Sequence, residues 1–174
     1  SLEATRRNDP RLLYWLIYAD YSLFSSASMD GQLPLASRAI ARARASLDRL
    51  LAIEDGDQSL KALKTNMDEA YAQDLMNQTR YAEAIAAQRT VVEGREQTLR
   101  RVGDTASAIG DLAFSRSILG IIARQARERD LACDNWRQAE QGFLTLQARD
   151  ELVGFHASFL PGLRANLERC DAGR

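Results

Sequence analysis

Residues 106–147 read ASAIGDLAFSRSILGIIARQARERDLACDNWRQAEQGFLTLQ, and this stretch decides the fold. Ala108, Leu112, Ser115, Leu119, Ile122 and Ala126 recur in alternating steps of four and three, as do Ala132, Trp136, Ala139, Phe143 and Leu146. Side chains three and four apart share one face of an α-helix, so each set marks an apolar stripe. The polar link between the two stripes is short, which makes the helices antiparallel neighbours.

The same pattern continues on either side. Upstream, Ile85, Val92 and Leu99, backed by Ala84 and Val91, mark a helix from Asn77-Gln78-Thr79 to Gly103-Asp104, a helix-ending glycine beside a capping carboxylate. Gly94 lies inside it as a weak point. The helix before that begins near Gln58 and carries Leu60, Leu63, Met67, Tyr71 and Leu75. A further one starts near Pro34, with Ala36, Ile40, Ala43, Leu47 and Leu50 on its stripe, and closes at Asp55-Gly56-Asp57. The first opens at Asp9-Pro10, where a proline in the first turn lacks only an N–H that has no partner anyway. It spaces Leu12, Leu16, Ala19 and Leu23, and ends at Met29-Asp30-Gly31. Downstream, Phe155, Phe159, Leu163 and Leu167 define a last segment, Leu152 to Cys170, that Pro161 is expected to bend or split. No segment alternates with period two and β-branched residues, so the expected class is all-α. The expectation is one domain over residues 1–174, with helix pairs at about 10–54, 58–102 and 105–148 and a cap at 151–171.

At 174 residues the chain is long enough to bury about two-thirds of the surface its unfolded form exposes. Hydrophobic residues at 45% and charged ones at 27% fit a soluble globular domain, and no apolar run approaches the roughly 20 residues of a membrane span. A net charge of -1 argues against a protein built to coat nucleic acid. Lys61 and Lys64 are the only lysines among 23 basic residues, a bias that with abundant alanine reads as a GC-rich bacterial genome. Ser1 rather than Met opens the chain, which points to a trimmed or processed segment, cytoplasmic or, with an upstream anchor, periplasmic. Cys133, Cys170 and the single His156 are too few ligands for a zinc site. The cysteines read as buried apolar fillers, or as a disulfide tying down the last helix in an oxidising compartment.

Tyr71-Ala72 is followed, twelve residues after Ala72, by Ala84 in Tyr81-Ala82-Glu83-Ala84-Ile85, and Leu119-Gly120 is followed at the same offset by Ala132, then Trp136 and Ala139. This resembles the tetratricopeptide repeat, in which small residues sit where the helices of a hairpin cross closely and a large residue fills the space beside them. Ala72 against Ala84 and Gly120 against Ala132 correspond to those crossings. Ala72 and Gly120 lie 48 apart, beyond the usual period of about 34, so these are lengthened repeats. The resemblance implies antiparallel helix hairpins stacked as a short right-handed superhelix with a C-terminal capping helix. A narrower likeness is carried by Asp111-Leu112-Ala113-Phe114-Ser115, Leu119-Gly120, Ala132-Cys133-Asp134-Asn135-Trp136 and Arg169-Cys170. It is to the repeat regions of bacterial serine/threonine kinases and winged-helix regulators. Neither the kinase nor the winged-helix signature lies in this chain.

No nucleophile–base–stabiliser set is legible, so the chain reads as a non-enzyme without cofactor or metal. Asp104 and Asp111, seven apart, read as surface or capping carboxylates, and His156 reads as a satisfied, partly buried histidine. Arg38, Arg42, Arg44 and Arg49, and then Arg124, Arg127 and Arg129, read as charges late in helices that offset the negative helix end, not as a nucleic-acid surface. The expected function is a protein–protein interaction module of a larger bacterial signalling or regulatory protein. By the resemblance its groove is lined by Asn66, Glu69, Gln73 and Asn77, with Ser117, Ile121, Arg124 and Gln125. Replacing Asn77 and Arg124 by alanine is then expected to weaken partner capture without loss of thermal stability. The alternative is a small-molecule sensing domain that uses the aromatic first helices as its pocket. Leu12-Leu13-Tyr14-Trp15-Leu16-Ile17-Tyr18 is apolar around the whole helix. Either the second and third helices sandwich it, or its Tyr14, Tyr18 and Tyr21 face meets upstream sequence or a second copy, giving a homodimer.

Overall fold

A computed structural model describes residues 8–54 and 56–172. Seven α-helices follow in order: α1 Pro10–Met29, α2 Leu33–Ile53, α3 Gln58–Asn77, α4 Tyr81–Val102, α5 Ala106–Gln125, α6 Arg129–Ala148 and α7 Gly154–Asp171. Among the described residues there is no strand. Consecutive helices pack on each other from α1 to α3 and from α4 to α7, α1 on α2 and α5 on α6 most extensively. The chain divides into two compact units, one holding α1–α3 and ending at Thr79, the other holding α4–α7 and beginning at Arg80.

In the first unit Asp9 caps α1 by accepting from the Arg11 N–H at 2.9 Å, and Asp57 caps α3 by accepting from Ser59 and Leu60 N–H at 2.7 and 3.1 Å. Asp55, read as part of the turn closing α2, lies outside the described residues; Gly56 in that turn has φ of 95°, where glycine alone escapes a Cβ clash. One core cluster joins Leu13 and Ile17 to Ala43, Leu47, Leu50, Leu60 and Met67, and a second joins Phe24 and Ala27 to Ala36, Ala39, Ile40 and Ala70. Leu13 and Ile17 are 0% exposed, and burial of side chains this size contributes about 1.5–3 kcal/mol each. A polar knot fastens α3 to α2: Ser37 Oγ donates to Asp74 Oδ1 at 2.8 Å, and Gln78 Nε2 donates to Asp74 Oδ2 at 2.7 Å.

The α1 seam differs from the sequence reading. Leu13, Ile17, Phe24 and Ala27 face inward, while Leu12, Leu16 and Ala19 are exposed and Leu23 is half-buried. A helix apolar on every side carries no periodic signal to choose a face, so spacing alone selected the wrong stripe. Nor is α1 sandwiched: Trp15 stays 72% exposed, with Leu12, Tyr14, Leu16 and Tyr18 exposed beside it.

In the second unit Thr105, not Asp104, caps α5, its side chain accepting from Ala108 N–H at 3.3 Å. Asp104 instead lies 3.8 Å from Arg149. Helix α5 contains an apolar window of mean hydropathy 1.4, long and apolar enough to cross a membrane by length and composition, which the count of uninterrupted apolar runs had missed. Two-thirds of that window is buried, as in the central helix of a packed unit. Three glycines set the helix spacing. A Cβ on Gly110 would run into the His156 ring, one on Gly120 into the Trp136 indole, and one on Gly142 to within 2.9 Å of the Ala113 methyl. Trp136 therefore lies over the gap left by Gly120, and its indole N–H donates to the Ser117 carbonyl at 3.2 Å. Gln88 reaches from α4 to the Ser115 carbonyl at 2.9 Å.

Pro161 does not divide the last segment; α7 is one helix from Gly154 to Asp171, with Pro161 exposed to solvent. The buried side of α7, Leu160, Leu163, Leu167 and Cys170, joins Ala132, Cys133, Trp136, Ala139 and Phe143 of α6. Cys133 and Cys170 form a disulfide, Cα–Cα 5.9 Å, that ties the end of α7 to the start of α6.

Candidate functional site

The close of α5 and the opening of α6 are built around a tight link. Arg127 N–H donates to the Arg124 carbonyl at 3.0 Å and Glu128 N–H to the Ala123 carbonyl at 2.9 Å, which satisfies carbonyls left open at the helix end. This geometry needs a left-handed residue, and Arg127 supplies it with φ of 64°. An L side chain there costs about 1–2 kcal/mol. The link brings Arg124, Arg127 and Arg129 to the rim of a cavity of about 200 Å³ whose other walls are Ala132, Cys133 and Trp136 of α6 and Asn166, Arg169 and Cys170 of α7. The disulfide forms part of its wall, and most of its lining surface is apolar.

Among the described residues that line this cavity there is no Asp or Glu. Arg124 Nη1 donates to the neutral Asn166 Oδ1 at 3.1 Å, and Arg129 Nη2 donates to the Cys170 carbonyl at 2.8 Å. Arg124, Arg127 and Arg169 have no salt bridge among the described residues. Elsewhere in the unit Arg95, Arg100, Arg116, Arg137, Arg149 and Arg164 each reach a carboxylate. The aspartates that follow Cys133 and Cys170 in sequence, Asp134 and Asp171, lie 3.2 and 3.5 Å from Arg137. Among the described residues the cavity thus combines Arg124, Arg127 and Arg169 with a mostly apolar lining and no carboxylate, an arrangement that suits an anion.

A second cluster lies along α5 and α7. His156 Nε2 is 3.4 Å from Asp111 Oδ1, and Arg95 Nη1 is 3.4 Å from Asp111 Oδ2. The ring sits against Gly110, with Phe143 and Phe155 beside it. Ser107 Oγ is directed at Asp111, at 3.5 Å, and not at the histidine. The geometry is that of a packed histidine held by a carboxylate.

The groove residues expected from sequence divide between the units. On α3, Asn66 and Asn77 are exposed, Gln73 is half-buried, and Glu69 is buried. Burial and then the Glu69 carboxylate push the Tyr21 phenol up from its ordinary pKa. On α5, Ser117 is buried and donates its hydroxyl to the Phe114 carbonyl at 2.7 Å, Ile121 packs half-buried on the core, and Arg124 and Gln125 are exposed. Of the tyrosines proposed as a self-association face, Tyr14 and Tyr18 are exposed with their hydroxyls 3.3 Å apart, whereas Tyr21 packs into the core beside Phe24. A hollow of about 300 Å³ between α1 and α2 is lined by Pro10, Arg11, Tyr14, Trp15, Leu50 and Glu54. Sequence reading gave Arg124 a binding role but gave none to Arg169 or Asn166, because the cavity needs α7 folded back across α6, and no local spacing reports that.

The chain matches no protein-family model, no curated protein and no solved structure.

Proposed function

We propose that the chain is a non-catalytic interaction module, built of tetratricopeptide-like helix pairs and belonging to a larger bacterial signalling or regulatory protein, which holds an acidic segment of a partner protein. The observation that carries this reading is the cavity lined by Arg124, Arg127 and Arg169, which make no salt bridge among the described residues. Uncompensated charge at a concave site favours a partner that brings the opposite sign, and the apolar wall of Ala132, Cys133 and Trp136 gives that partner somewhere to bury carbon. The tetratricopeptide likeness is supported by the small-residue crossing at Gly120 beneath Trp136. Asn66, Gln73 and Asn77, on one side of α3, are proposed as hydrogen-bonding positions for further stretches of the partner.

Fluorescence anisotropy with a labelled glutamate-rich peptide and its glutamine-rich counterpart tests the proposal. The acidic peptide should bind, weaken as salt rises, and lose about tenfold or more in affinity on Arg169→Glu. Equal binding of the two peptides, or tighter binding of a DNA or RNA oligonucleotide of the same net charge, would overturn it.

A further inference from the structure

The identity of the group that enters the cavity can be argued further, on the reading that it accepts an anion. Three arginines that make no salt bridge among the described residues, Arg124, Arg127 and Arg169, line a space of about 200 Å³, and a fourth, Arg129, lines it with one N–H on the Cys170 carbonyl. One carboxylate brings a single charge and two oxygens, which leaves that much positive charge mostly unanswered. A phosphate monoester carries about -1.5 to -2 charge at pH 7 and three strong acceptor oxygens, one for each of the three guanidiniums. The planar guanidinium fork matches phosphoryl oxygens in pairs and is more weakly hydrated than an ammonium, so arginine loses less on entering such a site. Apart from the Asn166 amide, whose oxygen accepts from Arg124, the remaining wall is Ala132, the Cys133–Cys170 disulfide and the Trp136 indole. The indole N–H is already directed at Ser117, so in the hydrogen bonding seen here Trp136 presents ring surface and not a donor.

We infer that the cavity is a binding site for a phosphate monoester on an apolar or aromatic stem, with Arg124, Arg127 and Arg169 on the phosphoryl oxygens and Trp136 with the disulfide against the stem. The monoester comes either from a phosphorylated side chain of a partner or from a free small phosphate ester; the phosphoryl group is common to both.

Calorimetry on the full chain with phenyl phosphate, benzoate, inorganic phosphate, and a phosphotyrosyl peptide beside its unphosphorylated form is the test. Phenyl phosphate should bind about tenfold more tightly than benzoate or inorganic phosphate, the difference expected for one added charge-assisted contact or a buried ring. Its affinity should rise between pH 5 and 7.5 as the second phosphate proton leaves near pH 6, while that of benzoate should not rise. Arg169→Gln should remove the preference. Arg127→Gly should weaken phenyl phosphate without unfolding the chain, because glycine suits the left-handed backbone there. A phosphopeptide that binds more tightly than phenyl phosphate supports a protein source, and one that binds no better supports a small ester. Equal affinity for benzoate and phenyl phosphate, or arginine variants that bind as the parent does, would overturn the inference. If the glutamate-rich peptide still binds in that case, the interaction-module reading survives; if nothing anionic binds, both fall.

Discussion

Two groups of arginines, one in each unit, look alike in sequence and differ in what surrounds them. On α2, Arg42 pairs with Asp20 at 2.5 Å, Arg44 pairs with Asp68 at 2.9 Å and lies 4.0 Å over the Tyr71 ring, and Arg49 donates to Asn8 at 2.9 Å. Arg38 of that group stands exposed with no ion pair among the described residues. Spread over several turns, these charges are absorbed locally and cement neighbouring helices. Around the second unit's cavity the arginines come from a helix end, a turn and a second helix, and no carboxylate among the described residues lines the wall. The difference teaches that an arginine's role is set by its neighbours in space. Charge that the fold has already neutralised holds the fold, and charge that it leaves open can recruit.

The largest expected effect that sharpens this comparison comes from the staple. Cys133 and Cys170 are 37 residues apart, and the chain-entropy relation for a loop of that size gives about 4 kcal/mol. Cys133→Ser with Cys170→Ser should lower the stability of the second unit by up to that amount, seen as a fall in its thermal midpoint. The double variant should also bind anions more weakly, while the Arg42–Asp20 and Arg44–Asp68 pairs remain. A double variant as stable as the parent would mean that the non-covalent packing of α7 already holds the cavity wall.

The first unit depends instead on its apolar seam. Leu13→Ala should cost about 2–5 kcal/mol by chemical denaturation, whereas Leu12→Ala, one residue away on the solvent side, should change stability by no more than about 0.5 kcal/mol. The reverse order would restore the register read from spacing. A smaller contrast lies between two glycines of the second unit. Gly120→Ala drives a methyl into the Trp136 indole and should cost about 1–3 kcal/mol, but Gly94→Ala meets open space inside α4 and should stabilise by about 0.5–1 kcal/mol. Smaller still are the arginines themselves. Arg42→Ala should change stability little, since its side chain is half in solvent. Arg127→Gly should gain about 1 kcal/mol by relieving the left-handed backbone. A stability loss at Arg127 as large as that at Arg42 would erase the distinction between cementing and recruiting charge.

The helices themselves were legible. Ala36, Ile40, Ala43, Leu47 and Leu50, and equally Ala132, Trp136, Ala139, Phe143 and Leu146, are buried as their spacing requires, because each stripe contrasts with polar residues on the opposite face. Gly120 was legible as a point of close approach, but the spacing set it against Ala132, whereas the structure sets it against the Trp136 indole. The seam of α1 was not, since Leu12 and Leu13 are equally apolar and only tertiary packing chooses between them. The continuity of α7 through Pro161 was also missed: a proline on a solvent-facing position removes one hydrogen bond while Leu160, Leu163 and Leu167 still anchor both sides of it. Of the candidate site, Arg124, Arg127 and Arg129 were visible as a local basic run, but the absence of Asp and Glu from the described cavity lining was not. Ion pairing across helices, such as Arg164 with Glu140 or Arg116 with Glu96, is a property of the fold that no single segment encodes.

The chain carries two tryptophans, Trp15 exposed on α1 and Trp136 in the cavity wall, so two indole N–H resonances report the two regions separately. Titrating the isotopically labelled protein with the glutamate-rich peptide while recording both is the most direct test of whether open charge recruits a partner. The account predicts that the Trp136 signal shifts in a saturable way and that the Trp15 signal stays in place. Movement of Trp15 alone, or of neither, would contradict it.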